Sequence, residues 1–128
     1  IMEVLIKIPK DAKQELAKFF AISAKVQQKL GMFSSYIDDT WHAMLENRKD
    51  YENFCIESCG EVIEHLDSHL PGASGFGVIS WISDYEEEYG DLDKAWFKDS
   101  SGIVDEELYN QYIQTGQIIA SWRCSPST

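Results

Sequence analysis

Residues Tyr36–His69 read YIDDTWHAMLENRKDYENFCIESCGEVIEHLDSH. Their apolar side chains return every three or four positions. Ile37, Trp41, Met44 and Leu45 form one stripe, which predicts a helix over about 35–47. Ser34 or Ser35 stands ready to cap it, and Asp38 and Asp39 suit the positive end of its dipole. Tyr51, Phe54, Cys55, Ser58, Cys59, Val62, Ile63 and Leu66 form a second, longer stripe. It predicts a helix from about Asp50 that continues past Gly60, bending there at a cost of about 1 kcal/mol, until Pro71-Gly72 stops it. Two antiparallel helices joined along such stripes define a helical bundle.

Outward from this centre the helical pattern continues. Ala12, Leu16, Phe19, Ile22 or Ser23, Val26 and Leu30 predict a long amphipathic helix over 10–30, started near Pro9 and closed by Gly31. Ser74 to Gly77 reads as a loop. Val78, Ile82, Tyr85 and Tyr89 place a helix over 78–89, closed by Gly90. Leu92 to Phe97 is a turn carrying Trp96 and Phe97 inward. Val104 to Gln114 reads as the last helix, burying Leu108, Tyr112 and Ile113. Glu3–Ile8 and Ile118–Trp122 are short extended pieces that would pair as a ribbon joining the termini. The expected architecture is mainly α: one domain over 1–128, a compact bundle of about five helices with that small two-stranded ribbon. Trp41, Phe54, Ile63, Ile82 and Tyr112 are its expected core markers.

The totals restrict function. The chain has 128 residues, 44% hydrophobic and 26% charged, enough for one real core. Its formal charge of −11 repels phosphate and argues against nucleic acid as a partner. No apolar run approaches the length of a membrane span. The opening IMEVLIKIPKDAKQ has neither the basic segment nor the long apolar run of a signal peptide, and Ile1 ahead of Met2 suggests an added residue or an internal boundary. Cys55, Cys59 and Cys124 make an odd count, and a bridge between the first two within one helix violates disulfide geometry. Reduced thiols and a cytoplasmic location follow. Cys55 and Cys59 fall on an apolar stripe and should resist thiol reagents, whereas Cys124 near the terminus should react readily.

Asp38, Trp41-His42, Tyr51, Phe54-Cys55, Gly60, Ile63 and His65 form a pattern that resembles bacterial proteins of the glycine-rich domain-containing protein family. The likeness extends to Tyr89-Gly90, Trp96-Phe97, Gly102, Asp105 and the closing Ser121-Trp122-Arg123-Cys124-Ser125-Pro126. It covers most of the chain and implies a fold more than a reaction. Ala43 and Glu64 stand where relatives would carry further histidines, and the glycine-rich tract that names the plant proteins is missing.

Three constellations could carry chemistry. Cys55, Cys59, His65 and His69 have zinc-like spacing, C-x3-C-x5-H-x3-H. On one continuous helix, however, His65 would point about 120° away from Cys59, and His69 would lie about 21 Å from Cys55. A smaller metal set of His42, Cys55 and His65, taken from two neighbouring helices, converges more easily, with zinc as the ion. The same groups with Asp38 or Asp39 could form a Cys-His-Asp nucleophilic arrangement, although Cys55 lacks the electropositive, exposed setting that a reactive thiolate needs. Third, Asp84, Glu86, Glu87, Glu88, Asp91 and Asp93 form the densest acidic run. The resulting expectation is a small acidic protein-binding module, neutralising a basic partner through that run. The alternative is a metal-binding protein or enzyme using His42, Cys55 and His65.

Overall fold

The computed structural model describes residues 8–26, 30–66 and 74–127. Five α-helices are present among the described residues: α1 Lys10–Val26, α2 Ser35–Leu45, α3 Arg48–Cys59, α4 Ile82–Tyr89 and α5 Glu106–Thr115. A 3-10 turn over Lys94–Phe97 precedes α5, and four short strands complete the set: β1 Glu64–Leu66, β2 Gly75–Val78, β3 Ile119–Trp122 and β4 Ser125–Ser127. The fold is mainly α, as the stripes predict. No helix among the described residues is long and apolar enough to cross a membrane.

α1 is the axis of the bundle, touching α2, α3, α4 and the 3-10 turn. Two consecutive phenylalanines explain how one helix serves both sides. Phe19 meets Trp41, Trp81 and Trp96 at centroid distances of 6.0, 5.2 and 5.7 Å. Phe20 meets Trp41, Tyr51 and Phe54 at 5.3, 6.2 and 5.7 Å. Each ring buried this way contributes about 1.5–3 kcal/mol through lost water contact, and the edge-to-face pairs add about 0.5–1.5 kcal/mol each. The three core indoles also satisfy their N–H groups, a requirement of burial: Trp41 donates to the Tyr51 hydroxyl, Trp81 to the Gly31 carbonyl and Trp96 to the Glu15 carboxylate. The expected core markers Trp41, Phe54, Ile63, Ile82 and Tyr112 are all buried.

Capping explains most boundaries. Ser34 accepts from the Ile37 N–H, Asn47 from Asp50 and Asp105 from Leu108, each satisfying a donor at a helix start. Asn47, expected as the last residue of the second helix, is therefore the cap of the third.

Several expectations fail, for identifiable reasons. The third helix does not run on to Leu66. It ends at Cys59 because Gly60 adopts a left-handed backbone (φ 83°) and donates its N–H to the Ile56 carbonyl. A residue without Cβ does this at little cost. The apolar series beyond it is taken up by an extended segment, which buries Ile63 as the helix would have done. Gly75–Val78 is not a loop but β2, and α4 begins at Ile82 instead of Val78. Ile119–Trp122 is extended, but it pairs antiparallel with β2, Val78 opposite Ile119 and Gly75 opposite Trp122; residues 3–7 of the expected ribbon partner lie outside the described residues. A second ribbon joins β1 to β4, with His65 opposite Pro126 and Leu66 opposite Ser125. Gly75 is required at its position, since a Cβ there would stand 2.6 Å from the Trp122 ring. Gly31 is likewise a contact residue: its added Cβ would fall 2.4 Å from the same indole; α1 is described as far as Val26, and residues 27–29 of the expected helix lie outside the described residues. Ile113 is exposed on α5.

Candidate functional site

The early end of α3 creates the most chemically loaded spot in the molecule. α2 presents Asp38 and His42 one turn apart on the flank of its buried stripe, neighbours by helical spacing. After Gly60 the chain returns toward α2, and the core holds it there. The Tyr51 hydroxyl accepts from the Trp41 indole at 2.9 Å and donates to the Ile63 carbonyl. Burial pushes the Tyr51 phenol far above its ordinary range, so it stays a donor. Ile63 is thereby anchored two residues ahead of His65. The His65 side chain is only 5% exposed. Its ring stands edge-on to Trp41 at 4.5 Å and next to His42 at 4.4 Å.

The third wall comes from the C-terminal segment. The β1–β4 ribbon sets its register, and the Cys124 carbonyl accepts from the Met32 N–H at 3.1 Å. The Cys124 thiol then donates to Asp38 Oδ1 at 2.8 Å. His65 Nε2 lies 3.4 Å from the same oxygen, and His42 Nε2 lies 3.3 Å from Asp38 Oδ2. Burial opposes ionisation of Asp38, but the hydrogen bonds from His65 and Cys124 and the charge of the nearby histidines outweigh it together, holding the carboxyl below its usual range. Asp38 also lines an open cleft of about 420 Å³ with Asp39, Ser35, Trp122 and Arg123.

The structure brings His42 and His65 together, as the smaller metal set requires, but Cys55 does not join them. Among the described residues the one cluster of three metal-type donors within mutual reach is Asp38, His65 and Cys124. Cys55 is buried on α3, one turn below Tyr51, and Cys59 directs its thiol at the carbonyls of Cys55 and Glu61. His69 lies outside the described residues. A Cys-His-Asp trio thus exists with Cys124 in the place given to Cys55. Its thiol faces a carboxylate instead of a cationic environment, so the geometry does not favour a nucleophile.

Cys124 corrects an expectation as well, since it is 3% exposed although it lies near the terminus. Timed alkylation followed by peptide mass spectrometry should therefore modify Cys59 first, with Cys55 and Cys124 far behind. Burial pushes the Cys59 thiol above its ordinary range, so its labelling should accelerate toward alkaline pH. Labelling of Cys124 ahead of Cys59 would show that the terminal segment opens away from α2.

The acidic run divides on inspection. Glu86 accepts from the Tyr112 hydroxyl at 2.5 Å, and burial with this carboxylate pushes the phenol up to about 12. Asp93 caps the 3-10 turn through the Ala95 N–H. Glu88 takes an exposed ion pair from Lys25 at 2.6 Å. Asp84, Glu87, Glu88 and Tyr89 line a notch of about 170 Å³ against Ile22 and Lys25 of α1. Tyr85 is buried as expected, but Tyr89 is half in solvent, with the Lys18 ammonium 5.1 Å over its ring. Asp91 is exposed.

No known family model, curated protein or solved structure matches the chain.

Proposed function

We propose that this is a cytoplasmic protein-binding module that engages a basic surface of its partner, and neutralises it, through the acid-bearing face of α4. The observation that supports this reading is the notch formed by Asp84, Glu87, Glu88 and Tyr89. Carboxylates around an aromatic ring are the surroundings that a lysine or arginine side chain prefers. Lys18 and Lys25 already use them in this way within the chain. Glu86 and Asp93 serve internal bonds and add mainly to the field, as does exposed Asp91. The net charge of −11 extends that field and speeds encounter with a cationic partner while disfavouring nucleic acid. The three cysteines, none of them in a disulfide, suit a reducing compartment. We also place the chain with the glycine-rich domain-containing-like proteins, on the Trp41-His42, Phe54-Cys55 and Gly60 to His65 elements.

A triple variant, Asp84→Asn with Glu87→Gln and Glu88→Gln, tests the reading. It should associate several-fold more slowly with a basic partner at low salt, with an unchanged melting temperature, and the difference should shrink as salt is added. Pull-downs at low salt with both proteins measure it. Equal recovery of the same partner would eliminate this face. The second reading is a metal-binding protein or an enzyme; the closeness of His42 and His65 favours it, without Cys55.

A further inference from the structure

Asp38, His65 and Cys124 come from three separate parts of the chain: α2, β1 and the segment between β3 and β4. Each is also held by contacts outside the trio. Asp38 sits in the first turn of a capped helix, His65 is wedged against Trp41, and Cys124 is tied through its carbonyl to Met32. Their donor atoms, one carboxylate oxygen, one imidazole nitrogen and one sulfur, all lie within 4.8 Å of one another. From these observations we infer that the three residues form a site for one divalent transition-metal ion, zinc foremost, with His42 flanking its solvent side.

The dimensions fit. In a tetrahedral zinc site, bonds of about 2.0–2.1 Å to nitrogen or oxygen and about 2.3 Å to sulfur place neighbouring donors about 3.3–3.6 Å apart. The Asp38–His65 separation of 3.4 Å already matches, and the 2.8 Å thiol–carboxylate contact needs to open by less than 1 Å. The donor types select the ion, because a mixed sulfur, nitrogen and oxygen set suits zinc better than magnesium or calcium. Binding balances simply. The Cys124 thiol loses its proton to solvent and gives its electron pair to the ion; the proton that His65 Nε2 shares with Asp38 is released as well, so that Nε2 donates its pair while the ring holds a proton on Nδ1. The ion replaces the proton-mediated contacts of Asp38 and joins the terminal segment to α2. Three protein donors leave one corner open. His42 is half-exposed and contacts the second oxygen of Asp38, and Asp38 itself borders an open cleft.

Zinc added to the reduced full chain, followed by native mass spectrometry with a competing chelator, should show one ion retained per chain. X-ray absorption of that complex should show one sulfur at about 2.3 Å and otherwise nitrogen or oxygen at about 2.0 Å. Cys124→Ser and His65→Ala, checked for folding by circular dichroism, should each weaken zinc by more than about 100-fold, beyond the loss typical of outer-shell partners, while Cys55→Ser and Cys59→Ser keep wild-type affinity. No retained zinc, a shell with no sulfur or two, or zinc affinity that survives Cys124→Ser would overturn the assignment. The X-ray absorption result decides on unmodified protein, so a variant that fails to fold does not leave the question open.

Discussion

Trp41→Ala is expected to remove a large part of the stability of the domain. Trp41 is fully buried where α1, α2 and α3 meet. Its ring packs against Phe19 and Phe20 on one side and His65 on another. Truncation of such an aromatic costs about 3–5 kcal/mol, against a total of about 5–15 kcal/mol for an ordinary domain. The variant also strips the Tyr51 hydroxyl of its donor, loosening the bond chain to Ile63 that positions His65. Denaturant midpoints should fall accordingly, and Trp41→Phe should fall less. Phe54→Ala should sit at the lower end of the same range, because Phe54 borders an open cleft next to Lys13 and Met44. A Trp41→Ala protein within about 1 kcal/mol of wild type would mean that the junction of the three helices is not the centre of the core.

Glu15→Ala should cost nearly as much, for a different reason. Glu15 is 3% exposed on the inner side of α1. Its carboxylate accepts from the Tyr85 hydroxyl at 2.5 Å and the Trp96 indole at 3.0 Å, and pairs with Lys18 at 2.9 Å. Removing it leaves a buried hydroxyl and a buried N–H without their acceptor, each costing about 1–3 kcal/mol. Breaking a buried charged network at one member costs about 3–5 kcal/mol. Glu15→Gln keeps an acceptor oxygen and should recover a large part of the loss. Equal melting temperatures for wild type and Glu15→Ala would show that water replaces the carboxylate and that α1 and α4 are less tightly joined than their geometry indicates.

Both residues bear on what could be read in advance. Trp41 was legible, because it lies on a stripe whose spacing states which side is buried. Glu15 was not, although Ala12, Glu15, Phe19 and Ile22 share that spacing. A charged residue on an inner face reads as a break in the pattern until its partners are known, and Tyr85 and Trp96 are 70 and 81 residues away. The acidic run shows the same limit. Its sequence gives six carboxylates of one kind, yet Glu86 and Asp93 turn out to hold Tyr112 and a chain turn.

The candidate site was half legible. His42 and His65 stood out by residue type and by their spacing from Trp41 and Phe54. Cys55 does not stand with them, because α3 stops at Gly60, where the apolar spacing continues but the helical backbone does not. That spacing is equally well met by an extended segment with Ile63 turned inward, and only the left-handed conformation of Gly60 separates the two outcomes.

The sequence by itself therefore determined that the chain is a mainly helical bundle, which stripes face inward, where most helices begin and that the surface is acidic. These properties are local: side-chain burial repeats at the helical period, and a cap acts within four residues. Only the tertiary structure decided that β2 pairs with β3 and β1 with β4, and that Cys124 reaches Asp38 across 86 residues. Short strands carry little periodicity, and their pairing depends on closing long loops, a cost offset only once the helical core has brought both ends together.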